Sequence, residues 1–319
     1  MITNYEKQYM KALTDIYGNG YSDGVNERTG VSTKRLPGIV FRVDVEKGFP
    51  ILKSKFVAGK TAQREIEWIW KQQSNNIHDL KAKIWDEWAD DTGSINKAYG
   101  YQMAKPMQVF LDPVKKKPET FRRYKSQAHY IIELLKENPN SRWGVATLWN
   151  PAELSEMNLV PCCHTSTWNL DGGRLNCMLD QRSGDMPYGV PFNTTQYAEL
   201  MCMIAKELGV KPGILTHVIA DAHIYDRQME GVKKQIMIFE ALTAIEGGAS
   251  DVPERINALV SEGIFLSCEE AKERLEKTVD CTPVFKINTD KGFFDYTADD
   301  CSIEDYTYAA KIDFGDVVV

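Results

Sequence analysis

The chain has 319 residues, seven cysteines and a formal net charge of −7. At 43% hydrophobic and 26% charged it can bury a large core, which excludes disorder as its main state, and no apolar run approaches the ~20 residues of a bilayer span. The acidic balance gives no general attraction to phosphate backbones, so neither nucleic acid nor membrane is expected as a partner, and an anionic ligand must be held by local arginines.

In chain order, MITNYEKQYM opens polar, without a signal-peptide core, so the protein is read as intracellular and cytoplasmic. An odd number of cysteines then argues for free thiols. Residues 5–18 carry a helical stripe, Tyr9, Leu13, Ile16 and Tyr17, with Asn4 as N-cap. Residues 22–38, rich in Gly, Ser, Thr and Asn, read as a loop holding Arg28 and Arg35, and Ile39–Val45 reads as a strand. A helix is expected over about 60–73, with Ala62, Ile66, Ile69 and Trp70 on one face. The amphipathic helix of 119–137 follows a solvated run, Lys115 to Lys117. Strands are expected at 145–149, 165–170, 175–181 and 215–220. A helix over 194–208 is stopped by Gly209, and the tail ends in Val317-Val318-Val319. Elements mix without regular βαβ alternation. That predicts an α/β (α+β) fold around one large sheet, with no composition shift to divide residues 1–319.

No CxxC or HxxxH pair, Walker A loop or dinucleotide fingerprint is present. Cys162-Cys163-His164 is a tight cluster, but neighbours on a strand point to opposite faces, so no metal is expected. Cys162 reads either as a buried thiol or as a nucleophile, and the second needs a positive neighbour. A hairpin centred on Gly172 sets residue 162 level with residue 182 and places the Arg182 guanidinium beside the thiol. Arg182-Ser183 suits a phosphate. Asn193 is either a helix N-cap or an amide that pairs with a ring showing both donor and acceptor. His223 and Tyr225 alternate onto one strand face, either to hold a sugar hydroxyl or as core packing.

Pro161-Cys162, Gln181-Arg182-Ser183-Gly184-Asp185, Gly189-Val190-Pro191-Phe192-Asn193 with Tyr197, and His223-Ile224-Tyr225 resemble the thymidylate synthase family in order and spacing. So do Glu27-Arg28-Thr29-Gly30, Phe49-Pro50 to Lys55, Glu65 to Trp70, Ile84-Trp85-Asp86-Glu87-Trp88, Tyr99-Gly100 and the C-terminal valines. The resemblance implies one catalytic domain over 1–319, with a large twisted mixed sheet flanked by helices and a homodimer packed sheet to sheet. It implies reductive methylation of dUMP to dTMP, with 5,10-methylenetetrahydrofolate as co-substrate.

Carried onto this chain, Cys162 is the nucleophile and Arg182 its charge partner, which also holds phosphate. Asn193 reads the uracil, Glu65 organises proton transfers, Tyr99 helps remove the C5 proton, and Asp185 meets the pterin. Arg28, Gln181 and Ser183 join the dUMP site, with Arg142 arriving from the partner subunit, and His223 and Tyr225 hold the 3′-hydroxyl. Lys55, Ile84, Trp85, Gly189, Phe192 and the tail ending at Val319 form the folate side.

Three departures stand out: Trp143 follows Arg142 where the family usually has a second arginine, Cys163 stands where a histidine is frequent, and the positions after His223-Ile224-Tyr225 differ, with Asp226-Arg227-Gln228. The first keeps open a pyrimidine-nucleotide hydroxymethylase of the same superfamily, in which water replaces hydride. Asn193 favours uracil over cytosine, and Trp85 is expected to shield the one-carbon unit. A catalytically silent RNA- or partner-binding protein on the same scaffold is disfavoured by the intact reactive set.

Overall fold

The computed structural model describes residues 1–26 and 30–315. Helix α1 (Asn4–Asn19) is capped by Thr3, not Asn4: the Thr3 side chain accepts from the Glu6 N–H at 3.1 Å. The stretch expected to be a loop instead forms β1 (Tyr21–Val25) and the first half of β2 (Ser32–Asp44). Its polar residues are strand residues because this part of β2 is only partly buried, while Phe41 and Val43 further along enter the core. α2 (Gly59–Glu67) runs into one π-helical turn, Trp68–Gln72, which ends on Gln73 at φ 55°. Such a bulge widens the turn that follows Glu65.

α3 (Gly100–Met103) is short. β3 (Met107–Phe110) pairs with β4 (Phe121–Tyr124), so the helix expected over 119–137 is shorter. Phe121 packs against Phe110 across this hairpin, and α4 (Gln127–Glu137) begins only after Ser126, whose Oγ accepts from the His129 N–H. Then come β5 (Gly144–Thr147), β6 (Cys163–Asp171), β7 (Arg174–Gln181) and β8 (Gly184–Asp185). α5 (Gly189–Leu208) starts five residues earlier than its apolar stripe suggests and ends on Gly209 at φ 67°, the left-handed C-cap that glycine takes most easily. β9 (Lys211–Tyr225) is long, and α6 (Met229–Gly247), α7 (Val252–Ser261) and α8 (Cys268–Asp280) follow. β10 (Val284–Ile287) and β11 (Cys301–Glu304) form a last hairpin.

The large sheet runs β1-β2-β9-β7-β6-β5, with β8 added against β9. It is mixed: β9 is antiparallel to β2 but parallel to β7 and β8. One face (Phe41, His217, Leu179, Ser166, Ala146) is buried. The other carries Val40, Met178 and Val145 at 52%, 42% and 39% exposure. The registers Arg42↔Thr216, Met178↔Thr216, Thr167↔Met178 and Val145↔Thr167 make this second face continuous across the strands. α6, α7 and α8 close over a second apolar cluster that includes Ile2, Leu242, Leu259 and Leu275. Lys53 is fully buried, and its ammonium donates to the carbonyls of Met1, Val279 and Cys281. No helix among the described residues is long and apolar enough to cross a membrane.

The β6–β7 hairpin positions the site. Its turn is Gly172-Gly173, at φ 56° and 74°, a pair of positive φ values suited to a two-residue hairpin loop. The turn is centred between these glycines, not on Gly172, and Asp171 faces Arg174. That register alone would set Arg182 opposite Cys163. A bulge between Cys163 and Thr165 shifts it by one, so Cys163 faces Gln181 and the Arg182 N–H donates to the Cys162 carbonyl at 3.0 Å. The expected alignment of 162 with 182 is therefore met, but through the bulge.

Candidate active site

Cys162 is half-buried just before β6. Arg182 turns back over it: Nε donates to the Pro161 carbonyl at 3.0 Å, and Nη2 to the Val160 carbonyl at 2.8 Å, with Cys162 Sγ at 3.7 Å. The carbonyls fix the guanidinium, and its charge beside the sulfur favours a thiolate. Burial pushes the adjacent Cys163 thiol well up, and it donates to Gln181 Oε1 at 3.4 Å. None of the seven cysteines is in a disulfide. Among the described residues, no group of three or more His, Cys, Asp or Glu gathers as a metal site.

The thiol opens on a cavity of about 180 Å³ that also takes in Glu65, Ile84, Trp85, Tyr99, Phe192, Asn193 and Gln196. The structure thus brings six other predicted residues to Cys162. Tyr99 sits at φ 40°, ψ −97°, a sparsely populated conformation. Its hydroxyl accepts the Cys162 N–H at 3.1 Å. The next residue has to be Gly100, because a Cβ there would collide with the Ser74 backbone. Glu65, on α2, is buried. Its Oε1 accepts from Trp85 Nε1 at 2.5 Å and its Oε2 from the Gln196 amide. Burial raises its pKa to about 7, against these two donors. Asn193 is not an N-cap: Tyr188 holds that position, and Asn193 lies in the first turns of α5. Its Oδ1 accepts from Gln181 Nε2 at 3.3 Å.

Phe192 also lines a second cavity, of about 520 Å³, with Lys55, Phe56, Tyr188, Lys311 and Phe314. Burial lowers Lys55 to about 8, and its ammonium lies 5.2 Å from the Phe314 ring centre. Asp185, paired in register with His223, is pushed up by burial while accepting from Gln228 Nε2 at 3.0 and 3.2 Å and from the Tyr188 N–H. The His223 and Tyr225 rings meet edge to face at 4.9 Å. Gly189 sits between Asp185 and Asn193, where a Cβ would touch both.

Ser183 lends its carbonyl to Gln181 Nε2 at 2.8 Å. Arg142 is not brought to the thiol: it is exposed, in a dent with Asn138, Asn140, Ser141 and Trp143. Arg28 and Val319 lie outside the described residues. The sequence reading missed Gln196, Gln228 and His217. Gln196 follows Asn193 by three, one helical turn along the same face, which could have marked it. His217 and Gln228 carried no such signal.

Residues 7–242 match the thymidylate synthase family. The thymidylate synthase of Clostridium beijerinckii is 43% identical over 235 residues, covering 73% of this chain and 81% of that protein. That of Fusobacterium nucleatum is 35% identical over 298 residues, covering 92% and 88%. The thermostable thymidylate synthase A of Bacillus subtilis superposes with a TM-score of 0.75 at 30% identity, covering 97% of this chain and 98% of that one. The chain belongs to the thymidylate synthase family, whose members are methyltransferases.

Proposed function

We propose that the protein converts dUMP to dTMP, using 5,10-methylenetetrahydrofolate and releasing dihydrofolate, and that 1–319 acts as one cytoplasmic catalytic domain. The observation that carries this is the Arg182 guanidinium 3.7 Å from the Cys162 thiol, on a cavity shared with Asn193 and Glu65. The cavity beside it fits a folate. Phe56, Tyr188, Phe192 and Phe314 give it apolar ring surfaces, and Lys55 offers an ammonium to an acidic tail. When bound, that co-substrate supplies a one-carbon unit and then a hydride.

In this reading the Cys162 thiolate adds to uracil C6, and the electron pair moves through C5 to O4, so that C5 becomes nucleophilic. Asn193 offers an N–H to the charge growing on O4. Arg182 screens the thiolate and, with Arg28 and Ser183, holds the phosphate. Tyr99, already accepting from the Cys162 N–H, keeps its own proton for the relay that takes the C5 hydrogen, and Glu65 orders that relay. Loss of the C5 proton would let the co-substrate's amine leave from the transferred carbon, and arrival of the hydride on that carbon would return the electron pair through C5 to the C5–C6 bond and expel the Cys162 thiolate. Asp185 holds the pterin ring, with Ile84, Trp85 and Gly189 against it. His223 and Tyr225 hold the 3′-hydroxyl.

The half-exposed sheet face, with Val40, Met178 and Val145 open beside Arg42, Thr167 and Thr216, supports a homodimer in which Arg142 reaches the phosphate held by the other subunit. With Trp143 in place of a second cation, that phosphate loses a charged partner worth about 1.5–3 kcal/mol.

The test is incubation with dUMP and methylenetetrahydrofolate. Dihydrofolate should appear and the nucleotide should gain the mass of one CH2. A gain of CH2O without dihydrofolate would mean a hydroxymethylase, and no reaction would overturn both readings. Asn193→Asp should move binding from dUMP toward dCMP by roughly ten-fold or more, because a carboxylate replaces the N–H that faces O4; titration calorimetry with both nucleotides measures it, and an unchanged preference means that the ring is read elsewhere.

A further inference from the structure

We propose that His217 is a positioning residue that fixes, through Gln181, the amide orientation of Asn193 and so sets the preference for a pyrimidine with an oxygen at C4. Gln181 Nε2 donates to the Ser183 carbonyl at 2.8 Å. A carbonyl only accepts, so the nitrogen end of the Gln181 amide is identified without reference to any ligand. Gln181 Oε1 therefore faces the other way, 2.7 Å from His217 Nε2. His217 Nε2 donates there, the Nε2–H tautomer, and Nδ1 lies 2.9 Å from Thr194 Oγ1, whose one hydrogen is shared between this nitrogen and the Val190 carbonyl at 2.8 Å. The ring lies fully buried on the inner face of β9, where burial holds it neutral.

The second Gln181 N–H reaches Asn193 Oδ1 at 3.3 Å. Turning Asn193 over would set N–H against N–H, so its nitrogen is held on the side away from Gln181. An N–H complements a ring carbonyl at C4 and opposes an amino group there. The relay therefore spans three elements. β9 supplies His217, β7 supplies Gln181, and α5 supplies both Thr194 and Asn193. Without the His217 donor, Gln181 Oε1 keeps only the weak Cys163 thiol, and the Ser183 carbonyl is left as the one strong contact holding the sense of the amide chain.

This rests on the pyrimidine-nucleotide reading above. The experiment measures the ratio of dUMP to dCMP affinity by titration calorimetry for the wild type, His217→Leu and His217→Gln. The glutamine keeps an N–H at similar reach. His217→Leu should lower the ratio about ten-fold, the effect of unpairing a buried polar group, and His217→Gln should restore most of it. A wild-type ratio in His217→Leu, even with both affinities reduced, would overturn the proposal and leave His217 a packing residue. Should His217→Leu fail to fold, His217→Met against His217→Gln makes the same comparison. A wild type that binds neither nucleotide, or prefers dCMP, would overturn the parent reading itself.

Discussion

Cys162→Ala should lower turnover by about 10⁴-fold or more while leaving the fold in place, because the proposed bond to C6 is made by this thiol. The fold survives because the contacts here are made by the backbone: the residue 162 N–H to the Tyr99 hydroxyl and its carbonyl to the Arg182 N–H. Alanine keeps both. The neighbouring sulfur cannot take over, since Cys163 is buried, its thiol is pushed well up, and it is committed to Gln181. Dihydrofolate formation together with circular dichroism decides the matter. A folded variant that retains more than about a hundredth of wild-type turnover would remove Cys162 as nucleophile.

Glu65→Gln should cost about 10²–10⁴-fold in turnover and should also remove a pH-dependent weakness of the fold. Burial raises the Glu65 pKa from 4.5 to about 7, so the folded chain holds this proton more tightly than the unfolded chain. Below pH 4.5 both forms are protonated and the group's contribution to stability is complete. As pH rises, the unfolded chain ionises first, and that contribution is lost until the folded pKa is passed. The loss is about 3 kcal/mol, and above that point it is constant. Urea melts at pH 4.5 and pH 8 should show the wild type losing roughly this much more than the variant between the two pH values. Equal losses would mean that Glu65 titrates near its ordinary value. The glutamine still meets two donors, from Trp85 and Gln196, so the comparison is between pH values within each protein and not between absolute stabilities.

What the sequence made legible follows its periodicity. α5 declared itself through Tyr197, Leu200, Met201 and Ile204 and through Gly209, because a helix buried on nearly every side is apolar throughout. β6 and β7 were legible as β-prone runs on either side of Gly172-Gly173. β1 and the start of β2 were not, since strands near a sheet edge keep polar side chains. β4 was hidden because Phe121 and Tyr124 extend the apolar spacing of α4, and only the Ser126 cap separates the two elements. α6, α7 and α8, which close the second core, were not foreseen. In the site, Cys162 and Arg182 could be paired because one short hairpin joins them. The contacts of Glu65 with Gln196 and of His217 with Gln181 join residues 131 and 36 apart, and no local pattern encodes such distances.

The bulge at the end of β6 has a consequence for how this chemistry could have been assembled. Two sulfurs stand side by side in the chain, and a regular ladder would have offered the wrong one to Arg182. One extra residue in one strand selects the reactive atom. If Cys162 is the nucleophile as proposed, its identity is thus decided by counting along a β-ladder, and an insertion or deletion at the bulge between Cys163 and Thr165 would alter the enzyme's reactivity without changing any side chain that takes part in it.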